Sequence, residues 1–325
     1  MVKGKSLVNY GFHFGATPEN MGEILEATGI ASVKVFMGAS TGDLLVSDPG
    51  DIYRVFHAAR VAGHLVTVHA ENDMLINRFA ADARRACEAD PFVHTRIRRN
   101  IVAAEEASLA AIISKEVGNR LHICHISTRQ ELDIVRMAGG RITAEATTHH
   151  MFLEDEDMRR LGNYAKMNPP LRSHDDRMAL WENRSLISCW MTDHAPHTRK
   201  EKERGYWEAP AGVPGVETLL PLHLNAWNKG MQTLEELVAK TSTNTACIFN
   251  IEGRGEIKEG FAADLVVVDP KAEWKIRDED IVSKCGWSPY DGTDVTGAVT
   301  HTLVNGNIVY DGSFGDACGE EAYNY

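Results

Sequence analysis

Cysteine is scarce and never paired. The six thiols, at positions 87, 124, 189, 247, 285 and 318, are scattered with no C-x-x-C spacing. That excludes a disulfide-stapled fold and leads us to expect a reducing, cytoplasmic setting. Long hydrophobic runs are also missing, since no stretch approaches the roughly 18 apolar residues of a membrane span. The opening Met1-Val-Lys-Gly-Lys leads into no signal-peptide core, so neither a membrane helix nor a secretory leader is expected. Positive charge is in deficit. With 34 Lys and Arg against 46 Asp and Glu, the formal net charge is -12, a poor match for nucleic acid or an anionic membrane surface. Internal repeats and low-complexity tracts are absent as well.

What remains is an ordinary globular composition, 43% hydrophobic and 25% charged over 325 residues, long enough for one barrel-sized domain with a smaller appendage. Strand-like and helix-like patterns alternate from the start. Short apolar runs at 11–14, 33–37, 65–69, 121–125, 142–145 and up to Asp193 are separated by helical stretches at 19–27, 51–62, 74–117 (broken near Pro91), 128–138 and 175–183. A Gly/Ser/Thr loop at 38–42 follows the second run, and helices at 216–229 and 233–248 follow the last. Alternation of this kind implies parallel βα units. Near Arg254 the character changes to antiparallel β patterning, at 263–269 and 299–310, the second with an Asn-Gly turn. The expected domains are therefore 1–253, a (β/α) barrel, and 254–325, part of a small β appendage. Six barrel-type strands are visible, two short of eight.

Several of these runs end on a group that binds metals or carries protons: Lys34, His69, Cys124-His125, Glu145 and, in Met191-Thr-Asp193-His194-Ala-Pro-His197, Asp193. Polar groups at the C-terminal ends of parallel strands are how a (β/α)8 barrel builds an active site. Each residue alone reads equally as a packed core side chain. Together, imidazoles and a carboxylate at one barrel mouth form a zinc-type donor set. Lys34 is costly to bury charged, so it snorkels, pairs, or reacts as a neutral amine; such an amine takes up carbon dioxide as a carbamate.

These motifs resemble the amidohydrolase superfamily: Lys34 in Val-Lys-Val-Phe-Met-Gly, His69 in Val-His-Ala-Glu, His125 in Cys-His-Ile-Ser, His149-His150 after Glu145, Asn168-Pro-Pro-Leu-Arg172, Thr192-Asp193-His-Ala-Pro-His197 and Gly260-Phe-Ala-Ala-Asp-Leu265. Within it, Gly212-Val-Pro-Gly-Val-Glu-Thr218 and Cys285-Gly-Trp-Ser-Pro-Tyr-Asp-Gly292 are similar to dihydroorotases more than to hydantoinases or allantoinases. The resemblance implies a TIM-type (β/α)8 hydrolase barrel with a small β-sandwich and two zinc ions. Lys34 would be the N6-carboxylated bridging lysine, His69 and His125 ligands of the second metal, and Asp193 a ligand of the first metal and the proton shuttle. Asn168, His197 and the backbone of Ala211 and Gly212 would hold dihydroorotate. Cys124 and Glu145 match positions that carry an additional zinc in some relatives, with a packed thiol and a supporting carboxylate as the alternative. His149 and His150 read as structural or supporting, and His13 as packing.

The chain departs from that pattern at one point. The family opens with a strand bearing H-x-H, an arginine for the substrate carboxylate and an asparagine on the next strand, and no H-x-H occurs in these 325 residues. The expectation is a dihydroorotase lacking roughly its first quarter and two barrel strands, which on its own binds metal and turns over substrate poorly. The reaction implied is reversible hydrolysis of dihydroorotate to N-carbamoyl-aspartate in pyrimidine synthesis. A hydantoinase or allantoinase is the alternative among enzymes. From another class comes a non-catalytic subunit that scaffolds a partner such as aspartate carbamoyltransferase; a homodimer is the other assembly implied.

Overall fold

The structure, a computed structural model, describes residues 2–39 and 44–323. Six strands form one sheet: β1 (His13–Gly15), β2 (Ser32–Phe36), β3 (Val66–His69), β4 (Leu121–Ile123), β5 (Ile142–Thr147) and β6 (Cys189–Met191). They pair strictly in chain order and every pair is parallel. A doubly wound sheet would reverse its order at a switch point; consecutive winding is that of the expected barrel type. The Gly/Ser/Thr loop at 38–42 lies mostly outside the described residues.

Parallel strands send alternate side chains to opposite faces. On one face Val33, Val35, Val66, Val68, Ile123, Ala144 and Ala146 are fully buried. They pack in one cluster with Ile52, Val55 and Phe56 of the helix Pro49–Ala62 and Ala107 and Ala110 of the helix Asn100–Val117. The other face is polar. His13 Nδ1 bonds Ser32 Oγ at 2.7 Å, Ser32 Oγ bonds Thr67 Oγ1 at 2.8 Å, and His122 Nδ1 bonds Thr143 Oγ1 at 2.8 Å. His13, expected as a packing residue, is exposed; its ring meets Phe249 edge-on and is hydrogen-bonded to Ser32.

Local signals explain the helix limits. Asp48 caps the helix Pro49–Ala62 by accepting from Gly50 and Asp51, proline stands in its first turn, and Gly63 closes it in the left-handed conformation. Thr128 and Glu131 form a capping box at the start of Arg129–Ala138. The helix expected over 233–248 is instead two α segments, Leu234–Val238 and Asn244–Ile248, joined by a π turn at Ala239–Thr243. The turn coincides with Lys240, whose ammonium reaches the carbonyls of Arg184 and Ile187. No described helix is long and apolar enough to cross a membrane.

The appendage is one antiparallel sheet of β7 (Leu265–Lys275), β8 (Asp294–Val304) and β9 (Asn307–Tyr310). Asn305 and Gly306 both take positive φ, 52° and 80°, in the two-residue turn that the Asn-Gly pair signals. β7 runs past the expected 269 because a bulge between Asp269 and Glu273 absorbs Pro270, which has no N–H for the ladder. Asn228 ties this sheet to the helix Leu219–Asn228 through the carbonyls of Pro270 and Thr296, each at 3.0 Å.

One close approach links the strand ends. Gly38, just past β2, lies against the backbone of Glu71, just past β3, and a Cβ there would overlap Glu71 O. A backbone oxygen has no rotamer with which to escape. Gly38→Ala is expected to cost about 2 kcal/mol or more of stability, read as a shifted urea midpoint with unchanged slope; a wild-type midpoint would refute the contact.

Candidate active site

His69 ends β3, and His125 lies two residues beyond β4. Their rings meet edge to face with centroids 4.7 Å apart, and His69 Nδ1 stands 3.0 Å from His125 Nε2. On its far side His69 Nε2 meets Glu71 Oε2 at 3.0 Å. Glu71 has no solvent exposure. Burial alone would raise its pKa, but Arg98, His69 and Arg172 overcome that and hold it at about 2. An ionised carboxylate only accepts, so His69 carries its proton on Nε2 and turns the lone pair of Nδ1 toward His125. Burial, with His69 and Lys34 nearby, keeps His125 neutral, its pKa well below the ordinary range. The two imidazoles therefore converge on one point.

The support behind Glu71 is layered. The Arg98 guanidinium pairs with Glu71 and donates to Ala39 O at 2.7 Å. Arg172 donates to Arg98 O and, through Nε, to Ser127 Oγ at 3.0 Å.

Lys34, Cys124, Glu145 and Asp193 gather around the same end of the sheet. Lys34 Nζ donates to Cys124 Sγ at 3.0 Å. Burial pushes the Cys124 thiol up to about 12, so at neutral pH it offers sulfur but no charge. Burial likewise opposes a charge on Lys34, yet its pKa is raised, first by its contact with Cys124 and then by Glu145 and Asp193. Here Lys34 is an ammonium, whereas carbamate formation needs the free amine. Glu145 Oε2 accepts from His122 Nε2 at 2.9 Å. Asp193 is reached by solvent at the open mouth although protein surrounds it on most sides. That enclosure raises its pKa, against the pull of Lys34 and His69.

Both His125 and Asp193 have left-handed backbones, with φ of 40° and 45°. Non-glycine residues seldom take this conformation, and it recurs at functional sites.

Asn168, His197, Ala211 and Gly212 form a neighbouring group. His94, neutral because burial lowers its pKa to about 3, sets Nε2 3.0 Å from Asn168 Oδ1 and 2.9 Å from Met167 O. His197 Nε2 donates to Ala211 O at 3.1 Å. The Gly212 amide is committed to Lys166 O at 2.9 Å and its carbonyl to Lys202, while the Ala211 carbonyl keeps a second lone pair. Ala195 N donates to Val213 O at 3.0 Å, which joins this loop to the segment bearing Asp193. His150 is bonded to Thr147 Oγ1 at 2.7 Å and Pro169 O at 3.1 Å, while His149 Nε2 is buried with no hydrogen-bond partner among the described residues.

Against this geometry the comparisons are decisive about family. An amidohydrolase family model matches residues 19–310. The chain belongs to the amidohydrolase family. It is 39% identical over 310 residues to a dihydroorotase of Halobacterium salinarum, covering 94% of this chain and 71% of that protein. It is 41% identical over 277 residues to a dihydroorotase of Pyrococcus horikoshii, covering 85% and 60%. The chain thus spans between three fifths and about 70% of these curated relatives. Among solved structures it resembles the L-hydantoinase (dihydropyrimidinase) of Arthrobacter aurescens, at TM-score 0.92 and 28% identity, covering 96% of this chain and 73% of that one. These relatives place it, by family, among cyclic amide hydrolases.

Amidohydrolase chemistry raises the question of a metal. The imidazole pair is the right donor chemistry for a zinc-type cation, with Glu71 orienting His69 as carboxylates orient metal-binding histidines. Among the described residues, however, no three His, Cys, Asp or Glu groups are drawn together as a ready coordination set. The fit is to one cation position, half furnished. Sequence patterns missed Glu71, Arg98, His94, Lys166 and Lys202; only Glu71 carried a local signal, in Val-His-Ala-Glu.

Arg98→Met would strand the Glu71 carboxylate in the interior, at an expected cost of about 3–5 kcal/mol. In wild type the folded pKa of Glu71, about 2, lies below the ordinary 4.5. Its contribution is therefore complete above pH 4.5 and lost as pH falls toward 2. Urea unfolding with chelator present, at pH 7 and between pH 5 and 2, checks both; equal stability of variant and wild type at pH 7 would rule the pairing out.

Proposed function

We propose that the protein is a dihydroorotase-type enzyme, which opens the ring amide of (S)-dihydroorotate to N-carbamoyl-L-aspartate and, in reverse, closes it. The observation that carries this reading is the convergent His69–His125 pair beside Asp193 at one barrel mouth. Identity to curated dihydroorotases over most of the chain supports the substrate.

In this reading His69 and His125 would hold one zinc ion, and Asp193, with Lys34 if carboxylated, would hold a second. Zinc bound there would polarise the ring carbonyl and acidify a water. Asp193 takes the proton of the attacking water and returns it to the leaving ring nitrogen. Its raised pKa brings it nearer the operating pH, as a proton shuttle requires. Asn168, His197 and the Ala211 backbone grip the ring and its substituents, with Gly212 shaping the turn beside them. Cys124 and Glu145 act as supports, Cys124 for Lys34 and Glu145 for His122. Residues 1–253 make up the hydrolase body and 254–325 the β appendage. The setting is cytoplasmic pyrimidine synthesis, as a homodimer or beside aspartate carbamoyltransferase.

The likeness to a hydantoinase gives a second reading, differing only in the ring accepted. The native gene product, supplied with zinc and bicarbonate, should cyclise N-carbamoyl-aspartate in preference to hydrolysing hydantoin or dihydrouracil. Asp193→Asn is expected to lower kcat about 100- to 10,000-fold. Turnover of hydantoin with dihydroorotate untouched would replace the first reading by the second.

A further inference from the structure

Lys202 ends the short helix Arg199–Lys202, whose start is fixed by a Thr198–Glu201 capping box. It is 1% exposed, and no carboxylate among the described residues forms an ion pair with it. Its Nζ instead donates to three backbone carbonyls, those of Lys166, Pro210 and Gly212, each at 3.0 Å. Three contacts take up every donor a lysine amino group can present, and all end on main chain. Lys166 repeats the device nearby, donating to Tyr206 O at 2.7 Å and Ala209 O at 2.6 Å. The loop is thus held at four carbonyls, Tyr206, Ala209, Pro210 and Gly212.

These carbonyls belong to the walls around the candidate substrate groups. The Lys166 carbonyl gripped by Lys202 also accepts from the Gly212 amide, and Asn168 lies two residues on. Gly212 has φ of 137° and presses against Ala195 O so closely that a Cβ would overlap it. We propose that Lys202 is a positioning residue: its buried amino group fixes the peptide planes of 210–213 against Lys166, and so aims the Ala211 carbonyl and Asn168 at the substrate. This rests on the reading above, in which those groups bind the cyclic amide. Lys202 touches neither the imidazole pair nor Asp193, so its role falls on binding and not on the chemical step.

The variants are Lys202→Met, which keeps length and loses every donor, and Lys202→Arg, which keeps donors. Lys202→Met should raise KM for dihydroorotate about 10- to 100-fold, with kcat within about threefold of wild type. Amide hydrogen exchange should quicken about tenfold or more in peptides covering 194–196 and 208–214, and stay unchanged over β5. Lys202→Arg should recover part of both effects. If Lys202→Met fails to fold, wild type alone decides: an amine-reactive label should modify Lys202 at least about tenfold more slowly than exposed Lys200. Loss of kcat at unchanged KM, loop exchange equal to wild type, or equal labelling of the two lysines would overturn the proposal. Should wild type turn over a different cyclic amide, the reading of substrate fails; KM is then measured with that amide, and the same criteria decide Lys202.

Discussion

A carboxylate without solvent exposure lies directly behind the imidazole pair, and the Arg98 guanidinium is what makes it tolerable there. Removing an ion from water costs several kcal/mol unless partners replace the lost hydration. Here the replacement comes from Arg98, His69 and Arg172. Much else follows from that pairing. The ionised Glu71 sets the His69 tautomer, and the tautomer decides that Nδ1 faces His125. Arg98 then reaches Ala39, tying the segment after β2 to the segment after β3. One buried charge and its counter-ion thus add to the strand ladder in tying the ends of two neighbouring strands together.

The barrel interior shows the same economy on a larger scale. Alternation along parallel strands sends the valines outward to the helices, where they are fully buried, and leaves serine, threonine and histidine facing inward. Unpaired, those groups would be costly. Bonded to one another from strand to strand, they form a polar floor beneath the Lys34–Cys124 contact. The site is therefore built on side chains whose hydrogen bonds cross strand boundaries, and its geometry inherits the strand register.

Much of this was readable in the residues. His69, His125 and Asp193 each close an apolar run, and a strand's end is where a barrel exposes its chemistry. The change near Arg254 from helical to alternating pattern marked the antiparallel sheet, and Asn305–Gly306 its turn. The supporting groups were not readable, because their partners are remote. Arg98 meets Glu71 across 27 positions, and Lys202 meets the Lys166 carbonyl across 36. Local periodicity says nothing about such pairs. A lysine in a charged helical turn, Arg199-Lys-Glu-Lys202, reads as a solvated face, yet its last residue is buried. The π turn at 239–243 went unread for a similar reason: the carbonyls that Lys240 reaches belong to a distant segment.

The left-handed backbone at His125 and Asp193 has a consequence for how this site can vary. Only a few residue types are at ease there: glycine, with asparagine, aspartate and histidine next. Valine, isoleucine or threonine at either place would strain the main chain whatever its side chain offered a ligand. The polypeptide thus narrows the chemical alphabet at these two positions before any reaction imposes its own demand. Two of the residues it admits, imidazole and carboxylate, are the donors found there. Drift at these positions is channelled by conformation, so their composition records the shape of the strand ends as well as the chemistry they perform.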